Sequence, residues 1–217
     1  MTPTSFGPPT ARPNAVVFDL GGVLIDWNPR YLYRQLFDGD DAAMERFLAE
    51  ITTPEWNLQQ DAGRTWDEAV AALTRQHPEH AGLIAAYRDR WTETLGEAIG
   101  PTVAVLAELR QAGVRLFALS NWSAETFPVA RPRYPFLDWF EGIVISGEVG
   151  ITKPDERVYR HLLDRFGLDA ASTVFIDDSG ANVRAAQELG MIAIRFEGGD
   201  ALRTALADLG VLGAPIS

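Results

Sequence analysis

Short apolar segments alternate with amphipathic segments over most of the chain, and this alternation limits the fold more than any other feature. Residues 15–18 (AVVF) form a continuous apolar run of strand length. Strands that alternate with helices pack as a parallel sheet with helices on both faces, so the chain is predicted to have an α/β fold. The predicted strands are residues 15–18, 114–119, 142–145, 173–176 and 191–196. The helices predicted in the second half of the chain are residues 101–113, residues 155–166, a segment ending at residue 189, and residues 201–209.

Residues 29–98 interrupt this alternation because they show helical periodicity and no convincing strand. Apolar side chains recur every four residues at Leu83, Tyr87, Trp91 and Leu95, which is the spacing of one helix face. The segment is therefore predicted to be an all-helical insertion that follows the first strand of the sheet.

Composition and charge exclude several kinds of site. The chain has 217 residues and 47% apolar residues, which suits one α/β domain with a modest insertion. It has no cysteine, which excludes disulfides, thiolate metal sites and a cysteine nucleophile. A net charge of −11 disfavours non-specific binding to nucleic acid or to an anionic membrane. A phosphate substrate remains compatible, because helix N-termini and a metal ion supply local positive charge.

The N-terminal residues do not resemble a targeting signal. Residues 1–14 are rich in Pro, Thr and Ser and lack both a basic start and an apolar stretch. No apolar run in the chain approaches the roughly 20 residues that a membrane span needs. We therefore expect a flexible tail over residues 1–14, no membrane partner and a cytoplasmic location.

Polar side chains follow four of the predicted strands. Asp19 follows the first strand, and Ser120 and Asn121 follow the second. Lys153 lies shortly after the third, and the pair Asp177-Asp178 follows the fourth. Ligands of open α/β sheets bind beyond the carboxyl ends of the strands, so these side chains are expected to converge on one edge. Any one of them alone has a structural explanation as a cap or a solvated side chain, but the full set indicates a site.

These residue types suit phosphoryl transfer. The Asp19 carboxylate can attack phosphorus and divide the displacement into two steps. Mg²⁺ held between Asp19 and a second carboxylate removes the repulsion between nucleophile and phosphate. Ser120 and the backbone N–H groups of residues 19–22 can hold the remaining phosphate oxygens, and Lys153 supplies a compact positive charge.

Four segments together resemble the four motifs of the haloacid dehalogenase superfamily, in the order that the superfamily has them. The segments are residues 18–24 (FDLGGVL), 119–121 (LSN), 153–155 (KPD) and 175–179 (FIDDS). The resemblance covers residues 15–200 and points to the C1 subclass, which carries a helical cap. It implies a Rossmann-like catalytic core over residues 15–28 and 99–217, and a cap domain over residues 29–98.

The resemblance also implies roles for individual residues. Asp19 is the expected nucleophile, and the metal ligands are Asp19, the carbonyl of Gly21 and Asp178. Asp178 is preferred over Asp177 because Asp178-Ser179 resembles the Gly-Asp-Ser of the family. Asp177 and Asn182 are then expected to orient the metal ligands through hydrogen bonds without binding the metal themselves. The expected substrate contacts are Gly21, Gly22, Ser120, Asn121 and Lys153.

One position departs from the usual phosphatase pattern. Those enzymes carry a second aspartate two residues after the nucleophile as general acid and base, and this chain has Gly21 there. The pattern resembles a branch that includes some sugar-phosphate phosphatases, so a small phosphorylated metabolite is the expected substrate. The proton must then come from water, the substrate or a cap residue, or from Asp26 a few residues further on.

Within the predicted cap, one polar segment has the character of a substrate-facing loop. It contains Trp56, Asn57, Gln60, Asp61 and Arg64, and the Arg64 guanidinium is a candidate contact for a second anionic group. A surface connection between helices explains the segment equally well. Trp122, directly after Ser120-Asn121, is expected either to line the pocket or to pack beneath the cap.

Two alternative functions remain open. A 2-haloacid dehalogenase uses the same nucleophile on carbon without a metal, and Gly21 fits it, but two adjacent acids at 177 and 178 do not. The other alternative is a protein without catalysis that binds a phosphorylated ligand or a partner protein.

Overall fold

Five short parallel strands form the central sheet, and a two-stranded antiparallel ribbon lies beside it. The computed structural model describes residues 13–213. The strands are β1 Ala15–Phe18, β2 Ile25–Trp27, β3 Leu95–Ala98, β4 Arg115–Ser120, β5 Gly142–Ile145, β6 Thr173–Asp177 and β7 Ile192–Arg195. The α-helices are α1 Arg30–Leu36, α2 Asp41–Glu50, α3 Pro54–Asp61, α4 Trp66–Gln76, α5 Ala81–Asp89, α6 Gly100–Gln111, α7 Phe127–Ala130, α8 Ser146–Val149, α9 Glu156–Phe166, α10 Gly180–Glu188 and α11 Gly199–Asp208.

The main sheet confirms the predicted α/β fold. Its order is β5-β4-β1-β6-β7, and every pairing in it is parallel. All five predicted strands occur, and their ends differ from the predicted ends by one residue at most. The central strand, β1, is fully buried, which explains why it reads as a continuous apolar run.

Side chains of β1 point alternately to the two faces of the sheet, and each face is covered by helices. Val16 and Phe18 belong to an apolar cluster that includes side chains of α6 and α11. Ala15 and Val17 belong to a second cluster that includes side chains of α9 and α10. The fold is therefore a Rossmann-like sheet between two helical layers.

Five helices, α1 to α5, form the insertion after β2, and aromatic side chains fill its interior. The rings of Trp66 and Tyr87 stack at 5.3 Å between centroids, and Trp56 packs edge-on against Tyr87 at 5.6 Å. Tyr33 and Phe47 continue this cluster at 5.0 Å. The predicted helical cap is confirmed by these helices.

The absence of a strand from residues 29–98 was a wrong prediction. Leu95–Ala98 forms β3, which pairs antiparallel with β2, so that Trp27 lies opposite Leu95 and Ile25 opposite Ala98. The sequence Leu-Gly-Glu-Ala has little strand propensity of its own. The strand exists because a distant partner satisfies its backbone groups, and the ribbon joins the insertion to the sheet.

The ends of the described chain qualify two further expectations. Residues 1–12 of the predicted tail lie outside the described residues, whereas the backbone N–H of Asn14 donates to the carbonyl of Ser172 at 2.9 Å. Across residues 13–213, no helix combines the length and the apolar character needed to cross a membrane.

Candidate active site

Asp19 occupies the first position after the central strand and is only 8% exposed. Its backbone N–H continues the sheet by donating to the carbonyl of Ile176 at 2.9 Å. Its Oδ1 accepts hydrogen bonds from the N–H of Leu20 at 2.7 Å and from the hydroxyl of Ser120 at 2.9 Å. The strand ends therefore hold the carboxylate in one orientation, and the Ser120 hydroxyl, predicted to hold a phosphate oxygen, here donates to Asp19.

Lys153 lies between two carboxylates at the same edge. Its Nζ is 3.0 Å from Asp19 Oδ2, 2.7 Å from Asp177 Oδ2 and 2.9 Å from the carbonyl oxygen of Leu119. An ammonium group has three N–H donors, and these three acceptors match that number. Burial opposes the charge on Lys153, but the attraction of Asp19 and Asp177 outweighs burial and raises the pKa of Lys153. The lysine is therefore a fixed cation.

Asp19 shows the opposite balance. Burial is the largest influence and raises the pKa of Asp19 to about 7, with the nearby negative charge of Asp177 adding to the rise and Lys153 opposing it. The single ammonium thus does not offset the cost of the negative charge that the site collects.

The two adjacent acids differ in what surrounds them. Asp177 is fully buried and accepts hydrogen bonds from Lys153 Nζ at 2.7 Å, from Asn182 Nδ2 at 3.0 Å and from the backbone N–H of Ser179 at 2.8 Å. Asp178 is exposed. The Asp177 carboxylate is therefore engaged by hydrogen bonds inside the protein, including one from Asn182, while Asp178 presents its carboxylate toward solvent.

The site can hold a divalent cation. Carboxylate oxygens of Asp19, Asp177 and Asp178 lie within 4.8 Å of one another. Oxygen donors of this kind are the ligands that Mg²⁺ prefers. Because Asp177 is committed to Lys153 and Asn182, the geometry favours Asp19 and Asp178 as the carboxylate ligands.

The turn after Asp19 uses its two glycines differently. Gly22 has a positive φ of 74° and donates its N–H to the carbonyl of Ile25 at 2.9 Å, which closes the turn. This corrects the expected role of Gly22, because the N–H predicted to hold a phosphate oxygen is used by the turn. A Cβ at Gly22 would lie 2.6 Å from Asp178 Oδ2, so the glycine makes room for the carboxylate.

Gly21 keeps its backbone groups available for the predicted role of its carbonyl as a metal ligand. Its N–H and carbonyl make no hydrogen bond with any of residues 13–213. A Cβ at Gly21 would meet no atom within 4 Å. Both its backbone groups and the space beside it are therefore open.

Asn121 is positioned by its contacts with the backbone of Lys153. Its Nδ2 donates to the Lys153 carbonyl at 3.0 Å, and its Oδ1 accepts from the Lys153 N–H at 2.8 Å. Both ends of the amide are engaged, so the expected role of Asn121 as a substrate ligand changes to positioning of the lysine segment.

A cavity of about 80 Å³ opens beside Gly21, between the sheet edge and the insertion. Trp122 lines it, as one of the two expectations had it, and the Trp122 ring also packs on Trp91 at 5.7 Å. The lining residues are Gly21, Trp27, Asn57, Asp61, Trp91, Asn121, Trp122 and Thr126.

Arg64 does not line this cavity. Its Nε donates to Gln60 Oε1 at 2.7 Å, and its guanidinium lies 5.9 Å from the centre of the Trp56 ring. Two other polar residues of the same segment, Asn57 and Asp61, reach the cavity instead. Of the two explanations that the sequence left open for this segment, the cavity lining agrees with the substrate-facing one, and packing within the segment selects which side chains face the cavity.

Comparison with known proteins identifies related chains. The family model described as haloacid dehalogenase-like hydrolase matches residues 13–190. Sesquiterpene phosphatase astK of Aspergillus oryzae is 32% identical over 193 residues, which are 88% of this chain and 93% of that protein. A phosphoglycolate phosphatase of Cupriavidus necator is 27% identical over 189 residues, covering 82% of this chain and 78% of that one.

A solved structure extends the comparison to the site. A HAD family enzyme of Bacteroides thetaiotaomicron, in complex with magnesium and inorganic phosphate, matches with a TM-score of 0.67 and 25% identity, covering 86% of this chain and 96% of that one. Some relatives are longer than this chain, which spans 37% of drimenol cyclase drtB of Aspergillus calidoustus.

Proposed function

The chain belongs to the haloacid dehalogenase-like hydrolases, and we propose that it is a Mg²⁺-dependent phosphatase that cleaves a small phosphate monoester through an aspartyl-phosphate on Asp19. One observation carries this proposal. The carboxylates of Asp19, Asp177 and Asp178 cluster within 4.8 Å, and among residues 13–213 only Lys153 supplies a positive charge that lowers the pKa of Asp19 or Asp178. Three acids and one cation leave an excess of negative charge that a divalent ion offsets.

In the proposed reaction, an Asp19 oxygen forms a bond to phosphorus while the ester P–O bond breaks and the alcohol leaves with a proton. Water then attacks the aspartyl-phosphate, releasing inorganic phosphate and restoring Asp19. Asp19, the Gly21 carbonyl and Asp178 are the proposed ligands of Mg²⁺, which when bound supplies positive charge to the phosphoryl oxygens. The open N–H of Gly21 is proposed to contact those oxygens, and Ser120 and Lys153 are proposed to turn to them from the Asp19 oxygens that they contact here.

The cavity lining supports an apolar organic group on the substrate. Three of the residues that line the cavity are tryptophans, namely Trp27, Trp91 and Trp122. The polar groups around them are largely engaged with one another, since Asn57 Nδ2 donates to Asp61 Oδ2 at 3.2 Å and Trp122 Nε1 donates to Thr126 Oγ1 at 3.1 Å. Few groups remain for sugar hydroxyls, so we favour an aryl or prenyl phosphate over the sugar phosphate expected from sequence.

The similarity to a protein named sesquiterpene phosphatase agrees with this substrate class. A panel of phenyl phosphate, a prenyl monophosphate and glucose 1-phosphate tests it. We expect the first two to have the higher kcat/KM, and a clear preference for glucose 1-phosphate would overturn the apolar assignment.

Metal dependence separates the phosphatase from the dehalogenase alternative, which Gly21 also fits. The same panel and 2-chloropropionate are assayed with Mg²⁺, with EDTA and with Ca²⁺. We expect phosphate release only with Mg²⁺ and inhibition by Ca²⁺, whose larger and looser coordination shell misplaces the nucleophile. Chloride release that persists in EDTA would identify a dehalogenase, and the absence of turnover in every condition would indicate a binding protein. The cytoplasmic location stays a prediction for cell fractionation to test.

A further inference from the structure

The proposed reaction lacks a proton donor at the sheet edge. Position 21 is a glycine, and a Cβ there would meet no atom within 4 Å, so no neighbouring side chain fills the space of a missing acid. Asp26, considered from the sequence as a substitute, accepts a hydrogen bond from the Tyr31 hydroxyl at 2.5 Å. Its carboxylate lies against Gly96 in the ribbon, and it is not among the residues that line the cavity.

Asp61 is the acid that does line the cavity, and it shares that lining with Gly21. It is the last residue of α3 and is half-buried. Its backbone carbonyl accepts a hydrogen bond from the Ser146 hydroxyl at 2.6 Å, which ties the end of α3 to α8 beside the sheet. Its Oδ2 accepts from Asn57 Nδ2 at 3.2 Å. Two contacts thus hold an insertion residue in place over the strand ends.

The surroundings of Asp61 suit proton transfer. Burial is the main influence and raises the pKa of Asp61 to about 7, the negative charge of Asp19 adds to the rise, and the Ser123 backbone N–H opposes it. Tyr87, whose own pKa is raised well above its usual value mainly by burial, faces Asp61 as a neutral group. An acid with a pKa near the working pH is the most effective general acid and base.

We propose that Asp61 gives a proton to the leaving oxygen as the ester P–O bond breaks, and then takes a proton from the water that hydrolyses the aspartyl-phosphate. The proton that leaves with the alcohol is thereby replaced by one from water, and Asp61 returns to its protonated form. This inference rests on the proposed phosphatase function and adds a second active-site acid supplied by the insertion.

The test compares Asp61→Asn with the matched control Asp26→Asn, using a series of aryl and alkyl phosphates in Mg²⁺. An alkyl leaving group needs a proton, so Asp61→Asn is expected to lower kcat/KM for alkyl phosphates by about 10²-fold or more, in the range of general acid catalysis. For 4-nitrophenyl phosphate, whose leaving group departs unaided, kcat/KM should change little. The aspartyl-phosphate should accumulate, giving a burst of nitrophenol, and Asp26→Asn should match the native protein throughout.

The pH dependence gives a second measurement that needs no variant. Asp61 must be protonated to donate, so native kcat/KM for an alkyl phosphate should fall as the pH rises through about 7, the pKa of Asp61. 4-Nitrophenyl phosphate should lack this fall once each profile is corrected for the second ionisation of its phosphate group, which lies at a lower pH for the aryl ester than for the alkyl ester. Loss of all phosphate turnover in the native protein would remove the proposed function itself. Normal native turnover, with the same leaving-group dependence in Asp61→Asn and no difference between the two pH profiles, would overturn only the role of Asp61.

Discussion

The strand-end side of the site and the side formed by the insertion differ in how their polar groups are held. At the strand ends, Asp19, Lys153 and Asp177 are buried and satisfy one another through hydrogen bonds of 2.7–3.0 Å. On the insertion side, Asp61 is half-buried at a helix end and lines the same cavity as Trp91. The first arrangement fixes one nucleophile in one orientation, whereas the second places an acid and an aromatic residue of the insertion beside the cavity.

This difference suggests that the two sides have different functions, with bond formation on the strand-end side and substrate selection involving the insertion. Groups that must be placed accurately for bond formation lie on the rigid sheet, where β1 is paired on both sides. Several of the residues that line the cavity beside them, namely Asn57, Asp61 and Trp91, lie on the insertion. Substitutions on the strand-end side should therefore affect every substrate, and those on the insertion side should affect some substrates more than others.

The largest expected effect belongs to the strand-end side. Asp19→Asn is nearly isosteric and removes the nucleophile, so turnover of every ester should fall by roughly 10⁴-fold or more, as with other nucleophile removals. Lys153 keeps Asp177 as a partner at 2.7 Å, so the fold should persist. Steady-state assays and a thermal unfolding curve on the same preparation check both statements. Substantial hydrolysis by folded Asp19→Asn would exclude Asp19 as the nucleophile.

Sequence reasoning located the strand-end side well because its residues follow a general rule of parallel sheets. Asp19, Ser120 and Asp177 stand at or directly after the ends of β1, β4 and β6, and strand ends can be identified from apolar runs. Lys153 was identified from the same rule and then from its motif, although it follows the end of β5 at a greater distance. The uses of Gly22 and Asn121 were missed because they depend on hydrogen bonds within and between turns, which no residue pattern displays.

The insertion side was predicted less well for a physical reason. Whether Arg64 or Asp61 faces the cavity depends on how α3 packs against α8, and the Ser146 to Asp61 contact that reflects this packing spans 85 residues. Strand β3 was missed for the same kind of reason, because its partner β2 is far away in the sequence. The available signal was local, an acid two residues before Gly63 within the polar segment of the predicted cap.

An effect of intermediate size, on the affinity for Mg²⁺, is expected from a substitution at Gly22, beside the predicted metal ligand Asp178. Gly22→Ala would place a Cβ 2.6 Å from Asp178 Oδ2 in a backbone conformation with a φ of 74°, so Asp178 must move. We expect the Mg²⁺ concentration for half-maximal activity to rise by about 10–100-fold, as when a supporting group of a metal site is lost. Activity at saturating Mg²⁺ should recover in large part. Direct Mg²⁺ titration by calorimetry is the second readout, and unchanged affinity would argue against Asp178 as a ligand.

The smallest effect on turnover is expected from Gly21→Asp in an otherwise native protein. This variant compares an acid on the strand-end side directly with Asp61 on the insertion side. The position accepts a side chain, because a Cβ would meet nothing within 4 Å and the backbone there does not have a positive φ. If Asp61 already donates the proton, a second acid on the sheet adds little to native rates.

In the Asp61→Asn background the same acid should instead restore part of the lost alkyl phosphate turnover, since it stands where other phosphatases of this superfamily carry theirs. Gly21→Ala in that background is the matched control, because it adds the methylene position without the carboxyl group. The measurement is the slope of log kcat/KM against leaving-group pKa for five proteins: the native protein, Gly21→Asp, Asp61→Asn and the two double variants. The proton donor lies on the insertion if the slope is shallow in the native protein and steep in Asp61→Asn. In that case, adding Gly21→Ala to Asp61→Asn should leave the slope steep, and adding Gly21→Asp should make it shallower. A steep native slope that Gly21→Asp alone makes shallow would show instead that neither side of the native site supplies the proton.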